Sequence, residues 1–289
     1  MVESLAVILA GVLNNAAPLI LAVLAECISE RGGVLNLGLE GVMLVGGLVA
    51  VAVALSTGSV ELGALAGGLA GLLLAGLYAL LVNGFKLNQI IAGVAIYMLG
   101  VSVTTMAGKV FEGMPLPPPL HVGVFNVAPI LVLAAPPVVW LLLKRTGFDE
   151  KLRAVGDEPL AADMMGVDVS LVRTTAVLIN GFLAGVAGGL FVGLVARQWR
   201  SMVTHGVGWL AIALTPATLW EPLLSYIPGL IYAGAVAAQY MGAFNFLPPE
   251  LRGAMPYVIV LVAAAAAALK ARRYIPRSLG SVYVHGASE

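Results

Sequence analysis

Glu40 is the residue of this sequence best placed to do unusual chemistry. It stands inside an apolar run, LNLGLEGVMLVGG. An ionisable group at such a place is costly and usually faces a cavity or a partner. Asn36 precedes it by one helical turn, so the two share a face if that piece is helical. Asn88, Gln89 and Asn180, with Asn14 and Asn15, put amides near other apolar runs. Amides donate and accept hydrogen bonds, which suits an uncharged, hydroxylated solute. Tyr97 and Phe182 can stack on a flat ring. Each of these residues also has a plainer use. Glu40 can satisfy the backbone of a glycine-broken helix, the amides can join helices, and the aromatics can simply pack. The residues alone leave both uses open.

Bond-breaking chemistry is poorly provided for. His121, His205 and His285 are isolated, and no metal-binding His/Cys pattern or Gly-x-Ser-x-Gly elbow occurs. There is no phosphate-binding GxxxxGK[ST] loop, since Gly108-Lys109 is followed by Val110. We expect no enzyme and no cofactor in this chain. The single cysteine, Cys27, forms no internal disulfide.

The elements that carry these residues are set by composition. The chain has 289 residues, of which 60% are hydrophobic and 10% charged, with mean hydropathy +1.00. Soluble domains carry about 25% charged residues, so the chain reads as a polytopic membrane protein. Zero net charge gives no electrostatic case for nucleic acid. The start, MVESLAVILAG, has no basic region and reads as a retained span.

A helical span needs about 20 apolar residues. Candidates are Leu5–Ala25, a broken piece over Ser29–Gly47 continuing to Leu55, Glu61–Val82, Asn88–Ala107, Val127–Leu143, Thr174–Val195, a short run Gly208–Leu219 interrupted by Pro216, Pro222–Met241 and Met255–Leu269. This predicts an all-α transmembrane bundle of about 8–10 spans, some broken or re-entrant. Residues 1–270 form one membrane domain and 271–289 a tail. Basic residues accumulate on the cytoplasmic side. The arrangement that satisfies this best groups Arg31, Lys86, Lys144, Arg145, Lys151, Arg153, Arg173, Lys270, Arg272, Arg273 and Arg277 inside, leaving Lys109, Arg197, Arg200 and Arg252 outside. It puts the N-terminus outside. Gly63, Gly67 and Gly71, and separately Gly181, Gly185, Gly189 and Gly193, recur every fourth residue. Such stripes let helices approach closely, within the chain or between subunits.

One stretch breaks the apolar pattern. Residues 144–173 hold eleven of the 30 charged side chains and must lie in water. Asp157 can cap a helix whose first turn holds Glu158 and Pro159, and Gly166 can end it. That predicts a helix over Glu158–Met165, with Leu160 and Met164 on one face and Ala161 and Met165 beside them. Asp168 or Ser170 then caps the next span. The segment can dock on a partner or merely cap its helices.

RAVGDEPLAADMMGVDV, Arg153–Val169, resembles the cytoplasmic coupling loop of permease subunits of binding-protein-dependent ABC importers, the branch serving simple sugars, nucleosides and branched-chain amino acids. ERGGVLNLGLEGVMLVGG, NQIIAGVAIYMLG and the glycine-rich Asn180–Gly193 are similar to further segments of that family. Glu40 in LEG is closest to the nucleoside-type members. The resemblance covers about residues 5–270. It implies a coupling loop marked by Arg153, Gly156, Asp157, Pro159, Leu160, Ala161, Ala162, Met164 and Gly166. It also implies a separate ATPase subunit that binds ATP, a second permease subunit, identical or homologous, and an extracellular solute-binding protein. The expected function is import of a nucleoside or simple sugar across the plasma membrane. The alternative from the residues alone is a secondary transporter driven by an ion gradient.

Overall fold

The computed structural model describes residues 2–284, with side chains from residue 5. His285 and the last residues of the tail lie outside the described residues. The chain is helical almost throughout. In order, the helices are α1 (Val2–Arg31), α2 (Leu39–Thr57), α3 (Val60–Ala79), α4 (Gln89–Ala107), α5 (Val127–Arg145), α6 (Phe148–Asp157), α7 (Pro159–Met164), α8 (Val169–Leu190), α9 (Val207–Leu214), α10 (Tyr226–Tyr240), α11 (Pro249–Arg252) and α12 (Met255–Ala271). A small hairpin pairs His121 with Asn126 and Val122 with Phe125 before α5.

Six stretches are long and apolar enough to cross a membrane: Leu5–Arg31, Leu39–Thr57, Val60–Gly84, Gln89–Phe111, Val127–Arg145 and Val169–Ala196. Three shorter apolar helical stretches follow in the fold. One is Val207–Thr218, where α9 tightens into a 3₁₀ turn at Pro216. The others are α10, which lies along α1 with Gly229 against Ile20, and α12. The all-α bundle is as expected, with six helices of spanning length among the described residues rather than eight to ten.

Glycine explains the tightest packing. The stripe of α3 faces the stripe of α8, and α2 joins them. A Cβ on Gly71 would overlap the Gly181 carbonyl, and one on Gly67 would overlap the carbonyl of Gly46. Gly189 sits against Ala64 and Ala50. Close backbone approach is the gain that small residues bring in lipid. Both stripes are used within the chain. The far side of α3 exposes Leu62, Leu65, Leu69, Leu73 and Leu77, an apolar face suited to lipid.

Several expected boundaries move. The first helix does not stop at Ala25 but runs to Arg31, carrying Glu26 and Glu30 inside it. The piece over Ser29–Gly47 is not one broken helix. It is the end of α1, a hinge over residues 32–38, and the start of α2. The eighth helix starts at Val169 rather than Thr174, because Asp168 caps it by accepting the Leu171 N–H at 2.8 Å.

Candidate functional site at the charged end

The polar stretch folds as two helices, not one helix in a loop. Phe148, Leu152 and Val155 recur with helical spacing and anchor α6. Its charged side is anchored as well. Asp149 is buried and its carboxylate meets Arg31 at 2.7 Å, Lys144 at 2.8 Å and Arg153 at 3.4 Å. Glu221 takes up Arg31 and Arg153 from the other side, each at 3.3 Å. Arg31 also donates to the Trp220 carbonyl at 2.6 Å, and the Trp220 indole donates to Glu30 at 2.6 Å. Buried charge is tolerated only when paired in this way. Gly156 lets α6 touch the end of α1, since a Cβ there would overlap the Arg31 carbonyl.

Asp157 does not cap the second helix. It is the last residue of α6, Glu158 occupies the cap position without a side-chain bond, and Pro159 follows at the first turn. The helix α7 spans Pro159–Met164, and Gly166 ends it with a left-handed φ of +84°. Ala162 is buried and Leu160 packs on the core. Leu160 therefore does not share the free face with Met164. The free face is Ala161, Met164 and Met165, the methionines being 87% and 84% exposed.

The candidate pathway residues divide into two groups. Asn36 and Asn180 come together on Glu26. The Asn36 amide donates to Asn180 Oδ1, the Asn180 amide donates to Glu26 Oε2, and the Asn36 backbone N–H donates to Glu26 Oε1, each at 2.8 Å. Asn36 Oδ1 also accepts from the Gly38 N–H at 3.0 Å. This seam is fully buried and joins α1, the hinge and α8. Glu26 lies just beyond the expected end of the first span at Ala25, which is six residues short of Arg31, where α1 stops.

Glu40 belongs elsewhere. Asn36 lies in the hinge, outside any helix, so the two do not share a helical face. The Glu40 carboxylate accepts from Thr204 Oγ1 at 2.5 Å and from the N–H groups of Gly206 at 3.0 Å and Gly208 at 2.6 Å. It thereby caps α9 from across the bundle, where the helix dipole favours an anion. Gln89 is a bracket. It accepts from the Leu35 N–H at 2.8 Å and donates to the carbonyls of Gly33 at 3.2 Å and Ser281 at 2.9 Å. Asn88 caps α4, accepting from the N–H of Ile90 at 2.9 Å. Asn14 accepts from Asn126 at 3.0 Å, joining α1 to the start of α5. Tyr97 packs edge-on to Trp209, with ring centres 5.3 Å apart, and Phe182 lies over Gly68.

The fold is that of a multi-pass helical membrane protein with two short helices held at one end. Residues 8–264 match the family described as branched-chain amino acid transport system / permease component, and the chain belongs to it. It is 33% identical to a Haloferax volcanii protein provisionally named a glucose ABC transporter permease, over 95% of this chain and 97% of the other. It is 30% identical to the guanosine ABC transporter permease of Bacillus subtilis, over 99% and 98% of the two chains. It is 26% identical to a nucleoside ABC transporter permease of Lactococcus lactis, over 90% and 92%. No solved structure matches the chain.

Proposed function

We propose that this permease imports a nucleoside or simple sugar, with α6 and α7 as the docking site of a separate cytoplasmic ATPase subunit. The observation that carries the docking site is the free face of α7. Two exposed methionines stand on α7, whose other side packs inward through Leu160 and Ala162, and the preceding helix α6 is pinned to α1 by Asp149, Arg31 and Gly156. Methionine is flexible and polarisable, which suits a contact that must persist while both partners move. The relatives named for guanosine, nucleosides and glucose support the solute class.

On this reading the charged end lies in the cytoplasm, in accord with the distribution of basic residues. A second permease subunit completes the pathway, and an extracellular protein delivers the solute. The Glu26–Asn36–Asn180 seam is then a gate. Its amides and carboxylate, now bonded to one another, are freed toward hydroxyl groups of the solute when the hinge moves. Glu40, Asn88 and Gln89 serve the gate by holding its surroundings.

The test is uptake into vesicles holding the permease with its candidate partners. Uptake that needs ATP on the side of α7 supports the proposal. Uptake driven by a sodium or proton gradient without ATP overturns it in favour of a secondary transporter.

A further inference from the structure

Residues 278–283 belong neither to the docking helices nor to the seam, yet they are bonded to both sides of the machinery. The Ser278 N–H donates to the Gly156 carbonyl at 2.8 Å. Its hydroxyl lies 2.7 Å from the same carbonyl and 3.1 Å from that of Val155, and accepts from Arg173 Nη2 at 2.8 Å. These bonds hold the tail to the end of α6. Further along, the Gly280 N–H donates to the Gly33 carbonyl at 3.2 Å. The Ser281 carbonyl accepts from Arg173 at 3.1 Å and from Gln89 at 2.9 Å. Arg173, 1% exposed, also donates to the Gly32 carbonyl at 3.1 Å. These bonds hold the tail to the hinge, α4 and α8.

Tyr283 ends the segment and bonds to Asp163 of α7. Burial, with that carboxylate, pushes its hydroxyl up to about 12, so it remains a protonated donor at neutral pH. Segments near chain termini fray unless tied down, and this one is tied at Ser278, Gly280, Ser281 and Tyr283. Gly33 is suited to the junction. It takes a left-handed φ of +83°, and a Cβ would crowd the Ser278 hydroxyl at 2.5 Å.

The bonds matter for direction. The α6 helix also meets the hinge by packing, with Leu152 beside Gly32. Packed apolar surfaces transmit a push well, because they resist overlap. Hydrogen bonds add resistance to separation, and hence transmit a pull. The Arg31–Asp149 pair ties α6 to the end of α1, but not to the hinge beyond it. We propose that residues 278–283 are a strap that makes the hinge follow α6 when α6 withdraws. Ser278 and Arg173 act as positioning residues for transport and touch no solute. This rests on α6 and α7 being the site where the ATPase acts.

The experiment uses the assembled importer in vesicles and reads solute uptake and ATP hydrolysis on the same sample. Three chains are compared with the parent: one ending at Val284, one ending at Arg277, and Ser278→Ala. The chain ending at Val284 keeps the parent's uptake per ATP. Ser278→Ala lowers that ratio about fivefold, the factor corresponding to one lost hydrogen bond. The chain ending at Arg277 lowers it on the order of tenfold or more, while ATPase assembly and hydrolysis persist. Should the shorter chain fail to fold, Ser278→Ala decides. An unchanged ratio, or uptake and hydrolysis falling together with the amount of assembled complex, overturns the strap. A parent that shows no ATP-dependent uptake removes the docking reading, and the strap falls with it.

Discussion

Arg31 closes α1 in an ion pair with Asp149 at 2.7 Å, and both side chains are buried. This one pair joins the last residue of the first membrane helix to the first turn of α6. It makes the end of α1 and the body of α6 move together. Asp149→Ala would strand Arg31 in a buried site with only Glu221 and a carbonyl for company. Breaking a buried pair costs about 3–5 kcal/mol, and the remaining partners put the expected loss at the lower end. The check is the thermal unfolding midpoint of the solubilised protein, which should fall clearly. An unchanged midpoint would mean that the pair is dispensable.

Glu40→Gln should loosen the start of α9. The carboxylate accepts from three donors. An amide offers one oxygen, and its NH₂ then faces an N–H. Hydrogen bonds to charged groups contribute about 1.5–3 kcal/mol each. We expect faster amide hydrogen exchange at Gly206 and Gly208 and reduced transport. Parent-like exchange at those two amides would contradict the capping role.

Glu26→Gln and Asn180→Ala each break the seam on one side. If the seam gates the solute, uptake falls at least about tenfold in each, because a buried polar group is left without its partner. The fold should survive, since the glycine packing of α2, α3 and α8 lies elsewhere. Parent-level uptake in both variants would remove the seam from the pathway.

Gly71→Val should prevent the bundle from forming. Its Cβ would overlap the Gly181 backbone, which is no flexible side chain. Overpacking costs about 1–3 kcal/mol where neighbours can shift, and more where they cannot. Recovery of monodisperse protein after solubilisation measures this. A good yield would show that α3 and α8 can part without harm.

The fold was legible where signals are local. Apolar runs marked the passes, Gly166 marked the end of α7, and Asp168 marked the start of α8. Each depends on its own few residues. The first helix of the polar stretch was overlooked although Phe148, Leu152 and Val155 already carry its period, because the density of charge masked them. Asp157 has cap chemistry, but α6 absorbs it before it can act as one. Glu26 and Glu30 could not be placed from composition. Their partners, Asn180 and Trp220, lie more than 150 residues away, so helical continuation through them is decided by tertiary contacts. Glu40 stood out for the right physical reason, a costly charge among apolar residues. Only the fold shows that a distant helix N-terminus satisfies it.

The central claim is that α7 meets the ATPase through Met164 and Met165. Cys27 is fully buried, so a cysteine placed at an exposed position is the one reactive thiol expected among the described residues. We would attach a photoactivatable crosslinker at Met164→Cys and, as a control, at Leu73→Cys on the apolar face of α3. The account predicts a covalent adduct with the ATPase subunit from position 164 and none from position 73. An assembled complex that gives no adduct from 164 would contradict it.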